Sequence, residues 1–331
     1  MPNILIRTDI GGTHGMGHAV RCLALAQALT ARGARIGFVS NTPQSLAPFV
    51  APFLCTDVAT VAVQPESRGY GPADMVVIDT KYPIEETWYR DFGTALRSKV
   101  IRIDHPHATP ESCALLIGPC AHWSLETVGT LADTFGSRFL YGWEYVMLRP
   151  EVTAHQPIPY AERIGGPIVF CAGGSDPTGA LAQMYEWTAD EWDRWLPAVK
   201  KIFAIPSMGQ HTFPPRHHPL HTFFEPFTPA LLQTASMVVS LFGVAAYECL
   251  YYQTPALMFA HTEENAMGAR ALQYTSAQAC VTGGLLEKMD QEHFCDMVEL
   301  VYHATIRKVT EGQQWIDGLG TQRVADAILA I

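Results

Sequence analysis

No apolar run in the chain approaches the roughly 18 residues needed to cross a bilayer, so no membrane-spanning helix is expected. Nor does a basic stretch lead into a long apolar segment at the start. The chain opens directly on a strand-like NILIR, and a cytoplasmic location is the expectation. Positive charge is scarce: 22 Lys and Arg stand against 32 Asp and Glu, a formal net charge of −10. That balance argues against a nucleic-acid partner, whose phosphates demand a basic surface, and leaves open a small anion held by a local site. Cysteine pairing is missing too. Cys22, Cys55, Cys113, Cys120, Cys171, Cys249, Cys280 and Cys295 include no C-x-x-C and sit mostly in apolar runs. They read as reduced core thiols, not as a disulfide framework or a zinc cage. There is no internal repeat and no low-complexity tract. The biased PPRHHPLH places His217 and His218 side by side, which reads as a solvated loop and not as a metal site.

What is present is alternation. NILIRTD, RIGFVS, MVVIDT and VIRID in the first half, then PIVFCAGG, KKIFAIPS, HTFFEP, MVVSLF and PALMFA in the second, are β-type runs separated by helical stretches. Fully apolar strands with helices between them predict parallel sheets covered on both faces. At 331 residues the chain suits two such α/β, Rossmann-like, doubly wound domains. Periodicity lapses and prolines gather (Pro150, Pro157, Pro159) between about residues 150 and 163. The boundary is set there, giving domains 1–155 and 156–331, with the final helix able to pack back on the first. A cleft between two such domains, at the carboxyl ends of the strands, is the expected ligand site.

The turn after the first strand, DIGGTHGMGHAV, carries the densest signal. Gly12-x4-Gly17-His18-Ala19 has the spacing of a phosphate loop, yet His18 replaces its lysine and Ala19 its hydroxyl. Gly15-Met16-Gly17 begins like a dinucleotide fingerprint, but Val20 takes the third glycine position and RIGFVSNT ends without the acid that would hold a ribose. A P-loop ATPase and a nicotinamide enzyme are both disfavoured, and no cofactor is expected. Gly15 and Gly17 let a ligand approach the backbone at a helix N-terminus. A neutral imidazole there is suited to accept a proton; equally, His18 can merely cap the helix. His14 and His18 have no accompanying Glu and need not share a helix face, so zinc is not expected. Asp9, Asp79 and Asp104 each end a strand and read either as site acids or as turn residues. Downstream, CAGGSDPTGA offers Gly173 and Gly174 for a phosphate, with Ser175 and Asp176 at a probable helix start, where they can also serve as plain caps.

The ordered motifs RTDIGGTHGMGHAVRCLALAQAL, VVIDTKY, VIRIDHPH, YGWEYVMLRPEV, FCAGGSDP and DGLGTQRVADAIL resemble, over nearly the whole chain, the nucleotide-sugar hydrolases of pseudaminic acid biosynthesis and related spore-coat polysaccharide proteins. The resemblance implies the two-domain GT-B fold of metal-independent nucleotide-sugar enzymes. It implies an inverting hydrolysis of a UDP-linked 2,4-diacetamido-2,4,6-trideoxy sugar, with His18 as the base that activates water. It further implies substrate contacts at Asp9, Gly15, Gly17 and Tyr82 on the sugar side. On the nucleotide side it implies Gly173, Gly174, Ser175, Asp176, Gly243, Val244, Glu248 (ribose), Glu264 and Asn265.

The chain departs from that pattern at four positions. Phe242 replaces a glycine, Val244 and Ala245 replace hydroxyl residues, and Ala266 replaces a glutamine. A lost hydroxyl bond is worth about 0.5–1.5 kcal/mol. On the sugar side, Lys81 precedes Tyr82 where relatives place the aromatic one residue earlier. Three functions follow as expectations: the hydrolase, a glycosyltransferase on the same scaffold, and a silent nucleotide-sugar binding protein. The partner is expected to be the nucleotide sugar, with the chain a monomer or weak homodimer.

Overall fold

The computed structural model describes residues 1–11, 15–53, 63–65, 73–80, 99–176, 178–189, 196, 199–207, 222–308 and 314–331. The chain forms two compact units, Met1–Pro150 with Asp317–Ile331, and Glu151–Ile316.

The first unit is built on a seven-stranded sheet. Its strands are β1 (Asn3–Arg7), β2 (Arg35–Ser40), β3 (Val63–Pro65), β4 (Met75–Ile78), β5 (Val100–Ile103), β6 (Leu115–Gly118) and β7 (Phe139–Tyr141), in the order β3-β2-β1-β4-β5-β6-β7. Every pairing is parallel. β4, β5 and β6 are buried at every residue, as strands covered on both faces must be. Winding runs outward from β1 to β3 and then restarts with β4 on the other side of β1. The carboxyl ends of β1 and β4 therefore flank the switch point, where open α/β sheets bind ligands. Helix α1 (Gly17–Ala31) follows β1 and buries Ala19, Cys22, Leu23, Ala24, Leu25, Ala26 and Leu29.

The second unit repeats the plan with β8 (Ile168–Cys171), β9 (Lys201–Ile205), β10 (Thr222–Pro226), β11 (Met237–Leu241), β12 (Ala256–Ala260) and β13 (Cys280–Leu285), in the order β10-β9-β8-β11-β12-β13. Its pairings are again parallel, and its switch point lies between β8 and β11. Phe170 and Phe203 stack in its core with centroids 4.8 Å apart. The register shifts between Met258 and Phe259, so that Gly283 lies against the Phe259 ring, where a larger residue would collide. This bulge is why CVTGGL does not read as a strand in the sequence.

The units part between Pro150 and Glu151, ahead of the sequence boundary at 155/156, for a local reason. The Tyr252 hydroxyl donates to the Val152 carbonyl (2.9 Å) and the Tyr251 hydroxyl to that of His155 (3.2 Å), which ties this segment to the second unit. The closing helix, Gly320–Leu329, belongs to the first unit. Thr321 donates to the Leu148 carbonyl (2.9 Å), Arg32 pairs with Asp326 (2.5 Å), and Gly320 sits directly against the Val146 carbonyl. Among the described residues no helix is long and apolar enough to cross a membrane.

Candidate active site

α1 starts without a side-chain cap, so His18, in its first turn, is not the cap that the simpler sequence reading allowed. Instead the imidazole Nδ1 meets Asp79 Oδ1 at 2.6 Å. Asp79 directly follows β4, and its backbone N–H donates to the Arg7 carbonyl on β1 (2.9 Å), which holds the carboxylate at the switch point. Three side chains of α1 converge on it because positions i, i+3 and i+4 share a helix face. Arg21 donates through Nε to Oδ2 and through Nη2 to Oδ1, both at 2.6 Å, and Cys22 Sγ donates to Oδ2 at 3.3 Å. Arg21 Nη2 also reaches Asp104 Oδ2 at 2.9 Å, across the end of β5.

Charge and burial explain the arrangement. Burial works against the Asp79 charge, but the Arg21 guanidinium and His18 more than offset it and hold the carboxyl well below the usual range. Asp104 is likewise lowered: burial opposes its charge, and Arg21, His122 and His18 overcome it. Burial and the nearby Asp79 push the Cys22 thiol well up, so it donates a hydrogen bond and is no nucleophile. With Asp79 ionised, the contact needs an N–H at Nδ1, which leaves Nε2 as the nitrogen not engaged by Asp79. The 3.0 Å approach of Arg21 Nη2 to Nδ1 is then a contact between donors and not a bond. The His18 side chain is 15% exposed, so one edge is open to a ligand. An imidazole oriented in this way is equipped, in its neutral form, to take a proton from a bound molecule.

Asp9 lies deeper, 2% exposed. Its Oδ1 pairs with Arg7 (2.8 Å) and accepts from Ser40 Oγ (3.0 Å) and the Asn41 N–H (2.8 Å), and its Oδ2 accepts from Thr80 (3.2 Å). These partners join β1, β2 and β4 beneath the site. Gly15, at φ +69, closes the turn before α1 by accepting from the Gly11 N–H at 3.0 Å, and Gly17 is the first residue of α1. Tyr82, like Lys81, His14, His217, His218 and Cys55, lies outside the described residues.

In the second unit the sequence candidates gather at strand ends. Gly173 (φ +74), Gly174 and Ser175 follow β8, half-buried, with nothing within 4 Å of where a Gly173 side chain would begin. Asp176 is a cap: its carboxylate accepts from the Ala180 (2.8 Å) and Leu181 (3.1 Å) N–H groups of the helix Ala180–Ala189. Gly243 precedes the helix Val244–Tyr251, which has no side-chain cap, and space is open beside it. Val244 is half-buried, and Glu248, one turn further on, is 2% exposed. Glu264 is exposed. Asn265 is held by Thr262, which accepts from the Asn265 N–H (3.1 Å) and donates to its side-chain oxygen (2.7 Å). The departures Phe242, Ala245 and Ala266 are core residues, 7%, 8% and 1% exposed. Apolar packing thus accounts for their identity.

Sequence reasoning missed Arg21, the residue that links Asp79 to Asp104. Its signal was its place three residues after His18, on the same helix face.

No family model and no curated protein matches the sequence. Solved structures do match in shape. A calicheamicin glycosyltransferase is similar with a TM-score of 0.59 at 16% identity, over 99% of this chain and 98% of that one. MurG of Acinetobacter baumannii is similar at 0.59 and 14% identity, over all of both chains (100% each). A UDP-GlcNAc 2-epimerase of Neisseria meningitidis bound to UDP-GlcNAc is similar at 0.58 and 10% identity, over 99% and 100%. These likenesses show the fold: the chain has the two-domain α/β GT-B fold.

Proposed function

We propose that the protein is an enzyme acting on a nucleotide sugar, and that it hydrolyses the anomeric bond of a UDP-linked amino-deoxy sugar with inversion. The observation that carries this reading is the His18–Asp79 pair at the switch point of the first sheet. Water attacks the anomeric carbon in line with the departing diphosphate, and His18 Nε2 takes its proton. Asp79 holds the imidazole orientation and stabilises the imidazolium, while Arg21 keeps Asp79 ionised. The leaving diphosphate gains charge as the C–O bond breaks. Backbone N–H groups at Gly173–Ser175 and at the start of the helix Val244–Tyr251 are the donors assigned to it. Glu248 and Asn265 are assigned to the rest of the nucleotide. The UDP-GlcNAc held by the structurally similar epimerase supports a uridine nucleotide as ligand. The motif resemblance supports the trideoxy diacetamido class of sugar.

A glycosyltransferase is the second reading, favoured by the likeness to the calicheamicin glycosyltransferase. There His18 deprotonates an acceptor hydroxyl in place of water. The test is UDP release from UDP-diacetamido-trideoxyhexoses, with and without added hydroxyl acceptors. Release in water alone supports hydrolysis, and release only with an acceptor supports transfer. No release from any uridine nucleotide sugar overturns both.

A further inference from the structure

Beside the His18 site lies a group of side chains with a different chemistry. We propose that Asp104, Cys120 and His122 bind one transition-metal ion of the zinc class. One ligand atom from each lies within 4.8 Å of the other two. The residues come from adjacent strand ends: Asp104 directly follows β5, and Cys120 and His122 follow β6. Their backbone is fixed, because the Asp104 N–H donates to the Ile117 carbonyl (2.8 Å) and the Cys120 N–H to that of Gly118 (2.8 Å). Small movements of three side chains would bring them to metal-ligand distance of about 2.0–2.3 Å.

The donor set selects the ion. One thiolate, one imidazole and one carboxylate suit zinc and its borderline neighbours, whereas magnesium and calcium prefer oxygen alone. Three protein ligands leave a fourth position for water.

The surroundings favour a cation. Arg21 carries one positive charge against the two negative charges of Asp79 and Asp104. A dication entering with loss of the thiol proton brings this group from −1 to neutral. Uptake breaks the Cys120 S–H bond, forms the sulfur–metal bond and passes the proton to solvent. Asp104 keeps Oδ2 on Arg21 and offers its other oxygen to the metal. The sequence gives no hint of this site, since Cys120 and His122 form no recognised metal spacing and Asp104 lies far upstream.

The test uses the full chain, stripped with a chelator and titrated with Co²⁺, whose bond to a thiolate gives a charge-transfer absorption. One equivalent should bind with that absorption. Cys120→Ser should abolish the band, and His122→Ala should weaken binding at least about tenfold. His217→Ala/His218→Ala should leave both unchanged. Thermal unfolding of the metal-free variants checks that each is folded, and His122→Ala, at a half-buried position, keeps the test open if Cys120→Ser is not. No uptake by the wild type, a band that survives Cys120→Ser, or full affinity in His122→Ala would each overturn the proposal. No substrate enters these measurements, so the outcome is independent of the proposed reaction.

Discussion

His18 and Asp79, 61 residues apart in the chain, meet through Nδ1 and Oδ1 at 2.6 Å where β1 and β4 run side by side. The pair fixes which imidazole nitrogen carries the proton, and so which one can accept another.

Under the proposed chemistry, His18→Ala should lower turnover by about 10²–10⁴-fold while UDP affinity stays unchanged. Asp79→Asn should lower turnover too, and it should also destabilise the fold by about 1–3 kcal/mol, since Arg21 then keeps only Asp104 as a charged partner. Steady-state rates, calorimetry with UDP and urea unfolding separate the two variants. A His18→Ala enzyme with normal turnover would remove the imidazole from the mechanism.

Asp9 contributes to acid stability. Burial opposes its charge, but Arg7 and the Asn41 and Ser40 hydrogen bonds lower its pKa below the ordinary 3.8. A carboxyl lowered in the fold stabilises above its unfolded pKa, and the contribution fades as pH falls through the folded value. Asp9→Asn should therefore cost about 3–5 kcal/mol near neutral pH. Urea midpoints of wild type and variant should converge as the pH drops below about 4.

Gly243 gives a test of the nucleotide side that separates binding from folding. Its φ of 172° is extended backbone open to any residue, and nothing lies within 4 Å of the position a Cβ would take. Gly243→Val should change stability by no more than about 0.5 kcal/mol. If a diphosphate approaches this backbone, UDP affinity should nonetheless fall at least about tenfold, or about 1.4 kcal/mol. Unchanged affinity by calorimetry would move the phosphate contact elsewhere.

Gly320 is the reverse case. Any Cβ there meets the Val146 carbonyl, carbon and nitrogen, backbone that cannot swing aside. Gly320→Ala should destabilise the first unit by about 1–3 kcal/mol. Hydrogen exchange should show protection falling in β1–β7 and holding in β8–β13.

The fold was legible in most strands where burial on both faces forced an unbroken apolar run, as in VVI of β4, IVFC of β8 and VVSL of β11, though not in LLIG of β6. It was not legible in β3 and β7, three residues each, nor in β13, where Gly283, which clears the Phe259 ring, and Gly284, at φ +83, interrupt the pattern. His18, Asp79 and Asp104 each stood out, as the end of a glycine loop and as strand-end acids. Their union did not, because it depends on the strand order that sets β1, β4 and β5 side by side. Arg21 was not singled out in the sequence, because the two carboxylates it joins come from strands that only that order brings beside α1. Asp176 had two readings in the sequence, cap and ligand contact, because the two share one residue preference, and its carboxylate does cap the helix Ala180–Ala189.

The closing helix returns to the first unit after the second has been traversed. During synthesis, then, residues 151–316 leave the ribosome as a contiguous block that can mature while its host domain still lacks Gly320–Leu329. The unit that carries His18 is thus assembled from segments on either side of the other unit. A chain stalled after Ile316 would hold a complete second unit and an unfinished first one.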